Sequence, residues 1–150
     1  MVTRNIFLPN EGTMEALARA VAARSRAGDT ILLEGPLGVG KSTFARAYIR
    51  ARADDPELIV PSPSFTLVQT YGLVPPVTHA DLWRIQNAAD ALELGLDEAA
   101  AGGILLIEWP DRLNDHLPDG YLKISLLWDG EKGRRAHLEG PARLVEVLPE

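Results

Sequence analysis

Gly35-Pro36-Leu37-Gly38-Val39-Gly40-Lys41-Ser42 follows the apolar run Thr30-Ile31-Leu32-Leu33-Glu34 and leads into Ser42 to Arg52, a stretch able to run as a helix. The octapeptide is a G-x-x-x-x-G-K-[ST] pattern in the strand–loop–helix context that such a pattern requires. Its glycines let backbone N–H groups crowd around phosphate oxygens, Lys41 can reach the β- and γ-phosphates, and the Ser42 hydroxyl can take a place on Mg²⁺. The amides and dipole at the start of the following helix favour the same anion. Pro36 has no N–H, so its position cannot belong to the donating amides of the cradle. The stretch predicts a nucleoside triphosphate site.

Working outward, Thr3 to Leu8 predicts a first strand and Pro9-Asn10-Glu11-Gly12 a turn. Met14, Leu17, Ala18 and Val21 then share one helical face, with Thr13 as N-cap and Gly28 at the C-terminal end. Asp54-Asp55-Pro56 stops the helix after the phosphate loop. Val60 to Val68 carries prolines at alternate positions, so it should begin extended and end as a strand. Strands are expected at 77–82 and 103–108, the second apolar throughout and therefore central, with a helix over 87–94 closing at Gly95. Tyr121 to Trp128 and Arg135 to Leu138 should pair across the Asp129-Gly130 turn. Helices thus interleave with strands, except near the C-terminus, where strands without an intervening helix favour hairpin pairing. The expected fold is α/β, a P-loop NTPase-like three-layer sandwich with a mixed central sheet and antiparallel C-terminal strands, forming one domain over 1–150.

The chain has 150 residues, 46% hydrophobic and 24% charged, which is ample for an independent core. It lacks cysteine, excluding disulfides and thiolate chemistry, and holds no apolar run of membrane-spanning length. Residues 1–25 are not organised as a signal peptide, so a cytoplasmic location is expected. A formal charge of −6 argues against a broad nucleic-acid platform, and Arg134-Arg135 is the one adjacent basic pair. Contact with RNA should therefore be indirect or weak.

Phosphoryl transfer needs charge neutralisation, a metal and a group that positions the nucleophile. Lys41 and Ser42 answer the first two in part. The acidic metal ligand is expected at the end of a neighbouring apolar strand, where Glu108 stands, although aspartate is commoner there; the other reading of Glu108 is a solvated acid at a strand end. Asp81, in His79-Ala80-Asp81-Leu82-Trp83-Arg84, reads from spacing alone either as a second functional acid or as a turn residue. A single histidine such as His79 is ordinarily a packing or surface group, and Trp109 could be core, a partner contact or a nucleotide contact, core burial being the default for an indole.

Thr13, the loop with Thr43, Ser62-Pro-Ser-Phe-Thr-Leu67, His79 to Arg84, Glu93-Leu-Gly-Leu-Asp-Glu98 and Ile107-Glu-Trp-Pro110 stand together in an order and spacing that resemble the bacterial tRNA threonylcarbamoyladenosine biosynthesis ATPase family, TsaE (YjeE). The resemblance covers nearly the whole chain. It implies an ATPase, using ATP and Mg²⁺, that works with the transferase subunits TsaD and TsaB in modifying adenosine 37 of tRNAs reading codons that begin with A. It makes Ser42 and Glu108 the Mg²⁺ ligands, Gly38 to Thr43 the phosphate cradle, Ser62 to Leu67 the first switch region, and Lys41, Asp81 and Glu108 the catalytic set. Thr13 matches a nucleotide contact near the adenine, and Arg134 or Arg135 a further contact from the C-terminal strand. Where the family usually has threonine, aspartate and tyrosine, this chain has Ser42, Pro36 and Trp83. Ser42 keeps the metal-binding oxygen, and Trp83 keeps an aromatic body without the phenol.

Other readings fit less well. A small-molecule kinase would need an arginine-bearing lid, and no arginine pair stands in an obvious lid segment. A GTPase would need Asn-Lys-x-Asp, which is absent, and a dinucleotide fingerprint would need glycine at Thr43. A non-catalytic ATP-sensing assembly module is the alternative from a different class.

Overall fold

A computed structural model of the chain describes residues 1–113 and 117–147. Its strands are β1 (Val2–Leu8), β2 (Thr30–Glu34), β3 (Val68–Tyr71), β4 (Val77–Asp81), β5 (Ile104–Glu108), β6 (Leu122–Asp129) and β7 (Gly133–Gly140). Its helices are α1 (Glu11–Arg24), α2 (Lys41–Ala53), α3 (Ala88–Leu92), α4 (Leu96–Gly102) and α5 (Ala142–Val145), with a 3-10 turn at Pro110–Leu113. All seven strands join one sheet in the order β1-β7-β6-β2-β5-β4-β3. β2 runs parallel to β5 and β6, and β4 parallel to β5, while β1 and β6 pair antiparallel with β7 and β3 antiparallel with β4. The mixed sheet and the antiparallel C-terminal hairpin are as the sequence predicts.

Alternation along the strands builds the layers. Ile104 and Leu106 of β5 join the cluster made with Met14, Leu17 and Val21 of α1 and Phe44, Tyr48 and Ile49 of α2. Leu105 and Ile107 face the other way, toward Ala91 of α3, Leu96 of α4 and Leu113. Helices therefore cover both faces of β5, which is why its sequence is apolar throughout. β6 alternates instead: Leu122, Ile124 and Leu126 are buried, whereas Leu127 is 61% exposed.

Several boundaries differ from expectation, each for a local reason. The N-cap of α1 is Asn10, not Thr13: the Asn10 side chain accepts from the Thr13 amide at 2.9 Å, and Thr13 Oγ1 accepts from the Asn10 amide at 3.2 Å. That reciprocal capping box outcompetes a cap three residues later. The helix ends at Ser25, and Gly28 (φ 94) serves the next turn. Between Val60 and Val68 the Leu67 amide bonds back to Pro63 at 2.6 Å with Leu67 at φ 68, so the strand starts only at Val68. The helix expected over 87–94 shortens to α3, and Gly95 (φ 74) is the N-cap of α4, which, like α5 and the 3-10 turn, is too short to show a periodicity in the sequence.

Candidate phosphate and metal site

The C-terminal ends of β2, β5 and β4 lie side by side at one end of the sheet, where the phosphate loop leaves β2. Its backbone depends on glycine. Gly35 has φ 148, and a Cβ there would sit 2.5 Å from the Leu126 carbonyl; Gly40 has φ 124 and borders Met14. No side chain caps α2 at Gly40, so the first-turn amides of Lys41, Ser42 and Thr43 have no intrahelical acceptor, an arrangement that suits an anion. The Val39 amide instead donates to the Pro36 carbonyl at 3.2 Å and closes the turn, with the Val39 side chain wholly buried.

Lys41 is 5% exposed. Its ammonium donates to the carbonyls of Gly35 at 2.5 Å and Pro36 at 3.0 Å, and lies 4.0 Å from the centroid of the Trp109 ring. Burial holds its pKa below the ordinary lysine value, against the opposing charges of Glu108, Asp81 and Asp111.

Register decides which acids join it. His79, Asp81 and Glu108 share the parity of Val77 and Ile104, which belong to the cluster under α1 and α2, and Asp81 pairs directly with Glu108 across β4 and β5. The strands therefore deliver all three side chains to the face that carries the loop. Ser42 Oγ donates to Glu108 Oε1 at 3.2 Å, and Glu108 Oε2 meets His79 Nε2 at 2.7 Å. Asp81 accepts from the Trp83 amide at 3.0 Å through Oδ1 and from Ser64 Oγ at 3.4 Å through Oδ2. Burial raises its pKa above the ordinary aspartate value; the Trp83 amide opposes this, the Glu108 charge adds to it, and His79 and Ser64 oppose it. The Ser42 hydroxyl and the Glu108 carboxylate are adjacent oxygen donors, a set that suits a hard cation such as Mg²⁺.

A cleft of about 220 Å³ gathers these groups. Gly38, Gly40, Lys41, Ser42, Thr43, Asp81 and Glu108 line it, with Ser62 and Ser64 from the segment before β3 and with Trp83 and Trp109. The two indoles lie 4.4 Å apart. Trp109 packs against the second cluster, as its side chain suggests, and also lines the cleft, while His79 is a buried partner of Glu108; neither of these roles has a local signal, since the contacts lie on other elements. A smaller concavity beside the loop is lined by Glu11, Met14, Gly38, Gly40, Thr43 and Arg134. Arg134 donates from Nε to the Val39 carbonyl at 2.9 Å and stacks 4.2 Å from the Trp128 centroid. Arg135 instead pairs with Asp129 at 2.5 Å. Thr13 lines neither cavity, its hydroxyl being engaged in the α1 cap.

Known proteins share both the sequence and the architecture. A protein of Rickettsia bellii named tRNA threonylcarbamoyladenosine biosynthesis protein TsaE is 36% identical over 135 residues, covering 88% of this chain and 92% of that protein. A Bacillus subtilis protein of the same name is 34% identical over 143 residues, covering 94% and 88%. The crystal structure of Bacillus subtilis YdiB superposes with a TM-score of 0.77 at 28% identity, over 97% of this chain and 91% of that one. A sequence profile of the family described as threonylcarbamoyl adenosine biosynthesis protein TsaE matches residues 8–136. With that match spanning the loop, both acid-bearing strands and Arg134, the chain belongs to the TsaE family.

Proposed function

We propose that the chain is a Mg²⁺-dependent ATPase of N6-threonylcarbamoylation of adenosine 37 in tRNAs reading codons that begin with A, acting on the transferase complex of TsaD and TsaB and resetting it between turnovers. The observation that carries this reading is the convergence of Lys41, Ser42, Asp81 and Glu108 on one cleft at the strand ends. Family membership points to the pathway.

On this reading the free amides of Lys41, Ser42 and Thr43 take phosphate oxygens, and Lys41 turns from the Gly35 and Pro36 carbonyls toward the β- and γ-phosphates. Ser42 Oγ and Glu108 hold Mg²⁺, which neutralises charge on those phosphates. Asp81 orients the attacking water through the oxygen that Ser64 now approaches. Ser62 and Ser64, from the segment lining the cleft, respond to the γ-phosphate. Arg134 braces the loop through Val39 and borders the nucleoside side. The acidic net charge fits a protein that meets tRNA through its partners in the cytoplasm. Among the described residues no helix is long and apolar enough to cross a membrane.

The test is reconstitution. The isolated chain should hydrolyse ATP slowly, and titration with TsaD–TsaB should change the rate. Threonylcarbamoyl transfer should need the chain for multiple turnovers and not for a single one. Turnover that proceeds equally with a non-hydrolysable ATP analogue would make the chain an ATP-ordered assembly module instead.

A further inference from the structure

Glu108 is 2% exposed, and its two oxygens have different partners. Oε1 takes the Ser42 hydroxyl at 3.2 Å, while Oε2 meets His79 Nε2 at 2.7 Å. His79, also 2% exposed, does not line the cleft; it lies on β4 two residues before Asp81, behind the carboxylate. An ionised carboxylate only accepts hydrogen bonds, so in that contact Nε2 carries the proton. Nδ1 is buried without a hydrogen-bond partner, leaving Glu108 as the ring's one polar anchor among the described residues. A solvated strand-end acid would not need such a companion. Asp81, the other acid of the site, is held by a backbone amide and a serine instead.

The geometry points to His79 as a positioning residue: its Nε2–H pins Oε2 of Glu108 so that Oε1 stays turned toward Ser42 as a preset oxygen for the cation. Without the pin the carboxylate is free to rotate about its last torsion, and the Oε1–Ser42 pairing has to be formed anew each time metal binds. Groups that orient metal ligands in this way typically change metal affinity 10- to 100-fold when removed. This deepens the reading of Glu108 as a Mg²⁺ ligand and rests on it.

The experiment measures ADP binding to the full chain by tryptophan emission and calorimetry, in EDTA and across a Mg²⁺ titration. His79→Leu should raise the Mg²⁺ concentration for half-saturation by about 10-fold or more, with ADP affinity in EDTA within about 2-fold of wild type. His79→Gln places an amide donor the same number of bonds from the backbone and should recover most of the loss, whereas the shorter His79→Asn should not. A folded His79→Leu with wild-type Mg²⁺ half-saturation overturns the proposal, as does an equal loss in EDTA, which would mark a merely structural role. Should His79→Leu fail to fold, Gln and Asn variants that titrate Mg²⁺ identically overturn it too. Glu108→Gln separates the two readings. If it leaves the Mg²⁺ titration unchanged, Glu108 is not a ligand; if it weakens Mg²⁺ binding while His79→Leu does not, only the positioning role falls.

Discussion

Asp81 is 5% exposed, with Oδ1 on the Trp83 amide and Oδ2 near the Ser64 hydroxyl. Burial is the main reason its pKa lies above the ordinary value. The unfolded chain ionises this group near pH 4, so between that value and the raised folded one the native state holds the extra proton. Stability therefore falls as pH rises through this window and remains lowered at neutral pH. Asp81→Asn has no charge to desolvate: its Oδ1 still accepts from Trp83, and its Nδ2 can donate to a reoriented Ser64. Asp81 and Glu108 are register partners on adjacent strands. Like charges about 6 Å apart at an effective dielectric of about 20 repel by about 3 kcal/mol. Attraction to Lys41 offsets much of this, leaving a gain of about 1 kcal/mol for the variant, or about 2–4 °C in Tm for a chain of this length. Thermal unfolding of nucleotide-free protein in EDTA should show that gain at about pH 7.5 and a gap that shrinks as pH falls toward the ordinary aspartate value. On the proposed function the same variant should lose about 10²- to 10³-fold in kcat, with ATP affinity within about 3-fold. A variant less stable than wild type at neutral pH, or a gap independent of pH, refutes the electrostatic reasoning.

Lys41→Ala removes the ammonium held by the Gly35 and Pro36 carbonyls and should weaken ATP binding by about 10- to 100-fold in calorimetry, the worth of a charge-assisted bond. Arg134→Ala loses the bond to Val39 and the stack on Trp128, and should weaken nucleotide binding by about 3- to 10-fold with little change in Tm. Phe44 is wholly buried and stacks with Tyr48, so Phe44→Ala should cost about 3–5 kcal/mol in urea unfolding and leave any surviving native fraction able to bind nucleotide.

The fold was legible where the sequence carries its own period or its own stop. The unbroken apolar runs in β2 and β5 announce strands covered on both faces, and Asp129-Gly130 announces the β6–β7 hairpin. The misreadings fall where two local signals compete. Asn10 and Thr13 are both acceptable caps, and the choice between them turns on a reciprocal bond that neither residue reveals alone. Gly95 ends one helical signal and begins another; α4 follows at once from its left-handed conformation, with a sequence too short to declare a periodicity. Within the site, Lys41, Ser42 and Glu108 were legible because motif and strand end place them. The roles of His79 and Trp109 were not, since their partners lie on other elements.

Lys41, Asp81 and Glu108 are each buried to within 5% exposure, two acids against one ammonium, so before any ligand arrives their formal sum is negative. On the proposed function, a triphosphate entering such a cleft would meet helix-terminal amides and carboxylates together. Lys41 alone does not reverse the sign, and it must also leave the two carbonyls and the Trp109 face that hold it. On the proposed reading, a divalent cation beside Ser42 and Glu108 turns the local sum positive and converts the repulsive carboxylate into a ligand. Metal and nucleotide should therefore bind with strong positive coupling, each raising the other's affinity by the same factor. A generic glycine-rich loop would bind phosphate with little regard to metal; on the proposed reading this one, backed by β4 and β5, has acids that make the cation part of the binding site.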